Sequence, residues 1–599
     1  MSAGRPRGAR AAGPDAPDAP VNAIRAGAER RLTLRVLSAL LREDVLGLRT
    51  RGVPEQRPDG PWLGRRIGAT ELLLPVAPDG FQCEYRARLP LVEADGRALT
   101  RLDRIVGALR ALADPEDRAG YDAFAEECRQ TLLTMALHDT AQPGVLAALA
   151  RRYGADPAHW TGPAGALAQD TLAAYLDHPV YPTARGRAGL DEDQIIGCAP
   201  EFHPSFALHW VAVPERLVAG HALAPLPHWW PRPEDVDLPE LGPGHLLLPV
   251  HPLTAGAPLV EALASAGLTG LAVPGRRRYL EVVPTLSTRT VAVVRDPRHH
   301  LKLPLATATL GLRNRRTIKA GVLPDGAAAE RLLKAVIRRE PRFAAAVLPA
   351  GEQRYAEGGH ELLAFLLREL PEGLDEAVTL PLAALTATAP GGRLVVDHLS
   401  DRFYGGDPLA LYDAFLTLLL DWQCTLLRYG IALESHQQNI SLVLDRADGA
   451  TRLRLLLKDN DGLRINGPRL GAALGEQARQ EARFDDPRIV GTGDRALTDL
   501  FTTITVHLCA ASPAFDLAAH GRVPLETSLG VLRARLTEAA GRLGPDGSLL
   551  RAALLEADRL PVKAMVTAGT LLSKERSGAA DVNKHYTSGP NYLRRARMV

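Results

Sequence analysis

The sequence predicts an α+β protein, and three observations predict it. Near the N-terminus Leu32, Val36, Leu37, Leu40 and Leu41 recur at helical spacing. The middle third holds short β-like apolar runs, 246–250 and 291–294, set among prolines. Further on, the apolar stretch 411–429 ends at Gly430, a natural helix stop. Strand-like runs 440–444 and 453–457 follow it, joined across Asp448-Gly449, a strong hairpin signal.

Taken in order, a helix is expected over about 26–45 and a short strand over 72–76, closed by Pro78-Asp79-Gly80. Helices are expected over 102–112 and 121–137, so the first third reads as mainly helical. A strand pair is expected over 301–312, and long helices resume after Ala328. Residues 1–25, rich in Ala, Pro, Gly and Arg, are expected to form a disordered leader.

The chain has 599 residues, too many for one ordinary core, so two to four domains are expected. Apolar residues make up 46% and charged residues 23%, which excludes a disordered chain. The net charge of +2 argues against a large dedicated nucleic-acid surface. Cys83, Cys128, Cys198, Cys424 and Cys509 are odd in number and lack metal-ligand spacing. They read as reduced, mostly buried thiols of a cytoplasmic protein. No apolar run reaches the roughly 18–20 residues of a membrane span, and the N-terminus has no apolar signal region.

Three stretches carry candidate chemistry. Glu434-Ser435-His436-Gln437-Gln438-Asn439 precedes the hairpin and Lys458-Asp459-Asn460-Asp461 follows it. Polar groups at both ends of one hairpin can converge. An amide oxygen with carboxylates, as in Asn439, Asp459 and Asp461, suits Mg²⁺ shared with nucleotide phosphates. Protein kinases share this layout, and a solvated polar turn is the plain alternative. The second stretch is Pro284-Thr285-Leu286-Ser287-Thr288-Arg289-Thr290, with Lys302, Thr309, Arg313, Arg315 and Arg316 downstream. Hydroxyls and guanidinium groups in this pattern suit phosphate or carboxylate, although Lys302 also fits an edge-strand lysine. No GxxxxGK(S/T) lies nearby, which argues against a P-loop. The third is His178-Pro179-Val180-Tyr181-Pro182 with Arg185 and Arg187, either an anion-binding loop or an ordinary surface loop. His251-Pro252 reads as a strand-end turn, and His299-His300 as solvated.

Together these stretches resemble the IucA/IucC family of siderophore synthetases, which work independently of nonribosomal peptide synthetases. His178 to Gly189 resembles the family's HPxHPxxKxRxG, Glu201-Phe202 through Val213 its EF…WxAV, and Pro249 to Pro252 its PVHP. Pro284 to Thr290 matches PTxSxRT, and Glu434 to Asn439 matches EaHxQN. Lys563-Ala564, taken as part of a C-terminal helix, and Gly589-Pro590-Asn591 fit more loosely. Tyr181 stands where the family usually has His, Arg185 where it has Lys, Lys458 where it has Arg, and Leu253 where an aromatic is usual.

The resemblance implies a cupped-hand fold. Its thumb would be a helical N-terminal region (26–175), its fingers a central antiparallel-sheet region (176–400), and its palm a mostly helical region with the β-hairpin (401–599). It implies an ATP- and Mg²⁺-dependent synthetase that adenylates a (poly)carboxylic acid such as citrate and condenses it with an amine or alcohol. Ser287, Arg289, Thr290, Lys302, His436, Gln438, Asn439 and Asp459 would bind ATP, and Asn439, Asp459 and Asp461 the metal. Thr309, Arg313, His178, Arg185 and Arg187 would meet the acid, and His436, Lys302 and Arg289 would be catalytic. The partners implied are small molecules, with neither nucleic acid nor membrane, in a protein that family precedent allows to be a homodimer. A kinase-like phosphotransferase and a non-catalytic binding protein of the same fold are the alternatives.

Overall fold

The computed structural model describes residues 18–475, 483–578 and 585–597. The expected leader therefore lies outside the described residues as far as 17, and from Asp18 the chain is already helical. The Asp18–Arg42 helix buries Leu32, Val36, Leu37, Leu40 and Leu41 completely, as their spacing requires.

The first third departs from the helical expectation. Between Val53 and Leu99 the chain builds a six-stranded antiparallel sheet before the helices Leu102–Leu112 and Arg118–Tyr153. The hairpins close through two-residue turns, Pro58-Asp59, Gly68-Ala69 and Asp95-Gly96. Those turns are the local signal, and the expected strand 72–76 is the centre of the strand Thr70–Pro78.

A nine-stranded sheet occupies the middle of the chain. Strands Phe206–Pro214, Tyr279–Pro284, Thr290–Val293, Asp296–Lys302 and Ala364–Glu369 pair antiparallel in that order. The strand pair expected over 301–312 is not formed. The ladder ends at Lys302, because Pro304 has no N–H to continue it. Beyond it the chain loops back, with Leu305 N–H donating to the Arg316 carbonyl and Arg316 N–H to that of Thr307, at 2.9 Å each. His300 is not solvated. It lies opposite Arg368 on the neighbouring strand and is 6% exposed, while His299 bonds Asp296 at 2.7 Å.

The expected hairpin is present as Ile440–Ala447 and Ala450–Leu457, with Asp448 and Gly449 both at positive φ. It forms the centre of a four-stranded sheet with Val347–Pro349 and Val378–Pro381. The Pro408–Arg428 helix packs nearby and stops at Gly430, φ +74°. Arg495–Ala519 is apolar and long enough to span a membrane by composition, which corrects the count of such runs, but 89% of that window is buried within the protein. Lys563 ends a strand, Arg559–Lys563, rather than lying in a helix, and that strand pairs with Tyr586–Pro590.

The thirds do not each have a core of their own. One cluster of apolar side chains runs from Ala28 through Leu420 to Leu593, whereas the nine-stranded sheet carries a separate one around Trp210, Val282 and Phe365. All five cysteines are buried and free.

Candidate functional site

A cavity of about 670 Å³ opens where the nine-stranded sheet meets the four-stranded one. Lys302 is the last residue of its strand, and its ammonium crosses the seam to Asp459, at 2.6 Å, and Asp461, at 3.3 Å. Arg368, two strand positions from Leu366, the partner of Lys302, reaches the same Asp459 oxygen at 2.7 Å. Burial alone would raise the Asp459 carboxyl, but Arg368 and Lys302 outweigh it and hold it well below the usual carboxylate range. Asp459 itself sits at φ +55°, in the turn that follows the hairpin.

The Glu434–Asn439 segment lies at the other end of the hairpin. Asn439 N–H donates to the His436 carbonyl at 2.8 Å, and its side-chain amide donates to the Asp459 carbonyl at 3.3 Å. Both polar stretches therefore converge as their positions on one hairpin predicted. Burial pushes His436 down to about 4, and His178, facing it, down to about 3, so both rings are neutral near pH 7. The 285–290 turn folds over the seam. Thr285 N–H donates to the Thr290 carbonyl at 2.9 Å, and Arg289 reaches the Thr317 carbonyl at 3.0 Å.

The cavity gathers Ser287, Arg289, Lys302, Thr309, Arg313, His178, Arg185, Arg187, His436, Gln438, Asn439, Asp459 and Asp461. Thr290 is the exception. It is fully buried behind Ser287, whose hydroxyl accepts its hydrogen bond at 3.3 Å. Several cations arrive with partners. Arg185 donates to Asp177 at 2.8 Å, Arg187 to Glu201 at 3.1 Å, and Arg313 to the Ala568 carbonyl at 3.2 Å. Thr309 accepts from Arg316.

Ten Lys and Arg side chains line the cavity against six carboxylates, an imbalance that favours polyanions. Arg316 shows the crowding: burial, then Arg289 and Arg187, bring its guanidinium down to about 9. Asn439, Asp459 and Asp461 are an oxygen-only set. The described residues hold no group of three His, Cys, Asp or Glu able to bind a metal. With Asp459 already paired to two cations, these donors fit an ion that shares its shell with a phosphate better than a resident metal.

Sequence reasoning missed Arg368 and Glu352. The Arg368 guanidinium donates to Glu352 at 2.6 Å, and Glu352 accepts the Asp459 N–H at 3.0 Å. The available signal was a lone arginine in the apolar run 362–370. It also missed Glu127. This carboxylate accepts from Tyr181, Thr183, Thr570 and the Leu312 N–H, at 3.0, 3.1, 2.5 and 3.0 Å. Tyr181 thus faces away from the cavity, with its hydroxyl against Gly311. There φ is +108°, and a Cβ would come within 3.2 Å of that hydroxyl.

Residues 168–387 match the model of the IucA / IucC family, and residues 413–577 match the model described as ferric iron reductase FhuF-like transporter. Staphyloferrin B synthase of Staphylococcus aureus is 24% identical over 345 residues, which cover 53% of this chain and 57% of that protein. The alignment therefore spans little more than half of that relative's length. Petrobactin biosynthesis protein AsbB from Bacillus anthracis has the same fold, with TM-score 0.73, 16% identity and 96% of both chains covered. ATP-bound aerobactin synthetase IucA from Klebsiella pneumoniae superposes with TM-score 0.68 at 19% identity, over 94% of this chain and 99% of that one. The 168–387 segment therefore carries the match to the IucA / IucC family, and the solved structures share the fold of nearly the whole chain.

Proposed function

We propose that the protein is an ATP-dependent synthetase of siderophore biosynthesis that adenylates a carboxylic acid and transfers it to an amine or alcohol. The observation that carries this reading is the Lys302–Asp459–Arg368 seam, set in a cavity with a clear excess of cations. The ATP-bound relative and the synthase named among the curated proteins point the same way.

In the first step a carboxylate oxygen attacks the α-phosphorus of ATP. The bond to the bridging oxygen breaks, and pyrophosphate leaves with its electron pair. Lys302 and Arg289 lie where they can stabilise charge on the phosphates. Ser287, Gln438 and Asn439 orient the nucleotide, with Thr290 acting through Ser287. Asn439, Asp459 and Asp461 would hold Mg²⁺, which would supply neutralisation of phosphate charge. Thr309, Arg313, Arg185, Arg187 and His178 form the acid side. An amine lone pair then attacks the acyl carbon, AMP leaves, and the nitrogen gives up its proton, with neutral His436 orienting the groups. Bringing two anions together is the main burden, and positioning carries much of it. We place the reaction in the cytoplasm, on small-molecule substrates.

A hydroxylamine-trapping screen with ATP, Mg²⁺ and citrate, α-ketoglutarate or succinylated hydroxamates tests this. Hydroxamate should appear with equal amounts of AMP and pyrophosphate. ADP with a phosphorylated product would instead make the protein a kinase. Failure to bind Mg·ATP would leave only a binding protein of this fold.

A further inference from the structure

Between Phe501 and Ala511 the chain winds as a π-helix, in which each N–H reaches back five residues instead of four. The register is visible at its end, where the Ser512 N–H donates to the His507 carbonyl. The next carbonyl, that of Leu508, would take its bond from position 513. That residue is Pro513, which has no N–H. At α spacing the donor would be Ser512, which is already engaged. A buried carbonyl left without a donor costs free energy, so the fold must supply one from outside the helix. Leu508 is 5% exposed, and the donor is the Gln437 side-chain amide at 2.6 Å.

Gln437 falls on the position that the EaHxQN pattern leaves open, between His436 and Gln438. Its own carbonyl accepts the Ala383 N–H at 3.2 Å. Two positions earlier the Cys509 thiol donates to the Ser435 carbonyl at 3.1 Å, and both residues are buried. The chain on either side of His436 is thus pinned to the same π-helix. The ring between the pins accepts the Gln438 N–H on Nδ1 at 3.3 Å. Burial keeps that ring neutral near pH 7, so its proton sits on Nε2. The Asn439 N–H, bonded to the His436 carbonyl at 2.8 Å, carries the same placement on to the Asn439 amide.

We propose that Gln437 is a positioning residue for the adenylation step: anchored on the carbonyl that Pro513 leaves free, it holds the His436 ring and the Asn439 amide in place beside Asp459. The inference rests on the adenylating reading above. It adds a residue that acts through His436 and Asn439 rather than on the reacting atoms.

The test uses the full-length protein with ATP, Mg²⁺ and the acid that gives a trapped hydroxamate, and rates are expressed per ATP-binding site. Gln437→Met removes the donor at nearly constant volume. It should lower kcat for pyrophosphate release by about tenfold, while the KM values for ATP and acid move by less than about twofold. Gln437→Glu keeps the length and replaces the donor with an acceptor, so its loss should be at least as large. In the Pro513→Ala background an N–H at position 513 can take the Leu508 carbonyl, and Gln437→Met should there cost about threefold or less. Parental kcat in either Gln437 variant overturns the inference, since a packing role predicts that. So does an equal cost in both backgrounds, or a rise in KM with kcat unchanged. A variant with fewer ATP-binding sites but parental kcat per site also overturns it, because a purely structural role acts in that way. Failure of the underlying reading looks different: no hydroxamate and no AMP from the parent with any acid.

Discussion

Asp459, at the cavity wall, and the buried Glu127 are carboxylates that each tie distant parts of the chain together, and they do it in opposite ways. Asp459 is held by two cations, which keep its carboxyl far below the usual range. Glu127 has no ion pair among the described residues. It accepts from three hydroxyls and one backbone N–H, and burial, the dominant influence, raises its carboxyl. Glu43 repeats the second pattern, accepting from the backbone N–H groups of Val566 and Thr567 at 2.9 and 2.7 Å. Charge is kept where the cavity needs a field. Neutral donors are used where the fold needs a fixed joint.

The largest effect expected from breaking this contrast is at Asp459. Asp459→Ala strands Lys302 and Arg368, whose side chains are nearly buried, without their shared anion. Stability should fall by about 3–5 kcal/mol in urea denaturation, and pyrophosphate release by about a thousandfold. An active variant of parental stability would show that the seam is not the site.

Glu127→Ala comes next. It leaves four donors unmet and should cost about 3 kcal/mol. Tyr181→Phe removes one of the four bonds and should cost about 1 kcal/mol. Both should weaken acid binding more than ATP binding, because Leu312 precedes Arg313 on the loop that Glu127 holds. A Tyr181→Phe change that alters the ATP KM instead would place Tyr181 in the nucleotide site.

The smallest effect is in pH dependence, and it has opposite signs for the two carboxylates. The Glu127 folded value is raised, so the unfolded chain ionises first and stability is lost as pH rises through that folded value. The stability gap between parent and Glu127→Ala should therefore be wider at pH 5 than at pH 8. The Asp459 folded value is depressed, so its contribution is fully present above the unfolded value of about 3.9. The gap for Asp459→Ala should stay flat from pH 8 to 5 and close only in strong acid. Denaturation midpoints at the two pH values check both.

The contrast also explains what could be read from the sequence. Local chemistry was legible: the hairpin with polar stretches at both ends, the Gly430 stop, the serine and arginine of the 285–290 turn. Each depends on neighbours a few residues apart. Glu127 and Arg368 were not, because nothing near them in sequence reveals partners 443 and 91 positions away, at Thr570 and Asp459. The six-stranded sheet was missed because its information lies in two-residue turns, not in clean alternation. Tyr181 is instructive in another way. Its place in a motif suggested substrate, and its hydroxyl instead completes the Glu127 joint.

That joint also orders events in time. Glu43 and Glu127 are translated long before residues 566–570, yet each accepts hydrogen bonds from that segment, and the cavity wall at Lys563, Met565 and Ala568 belongs to the same later stretch. A nascent chain that has emerged only to about residue 550 holds both polar motifs but an unfinished pocket. The binding site is therefore completed only once residues 563–570 have been made and their wall docks against Glu43 and Glu127.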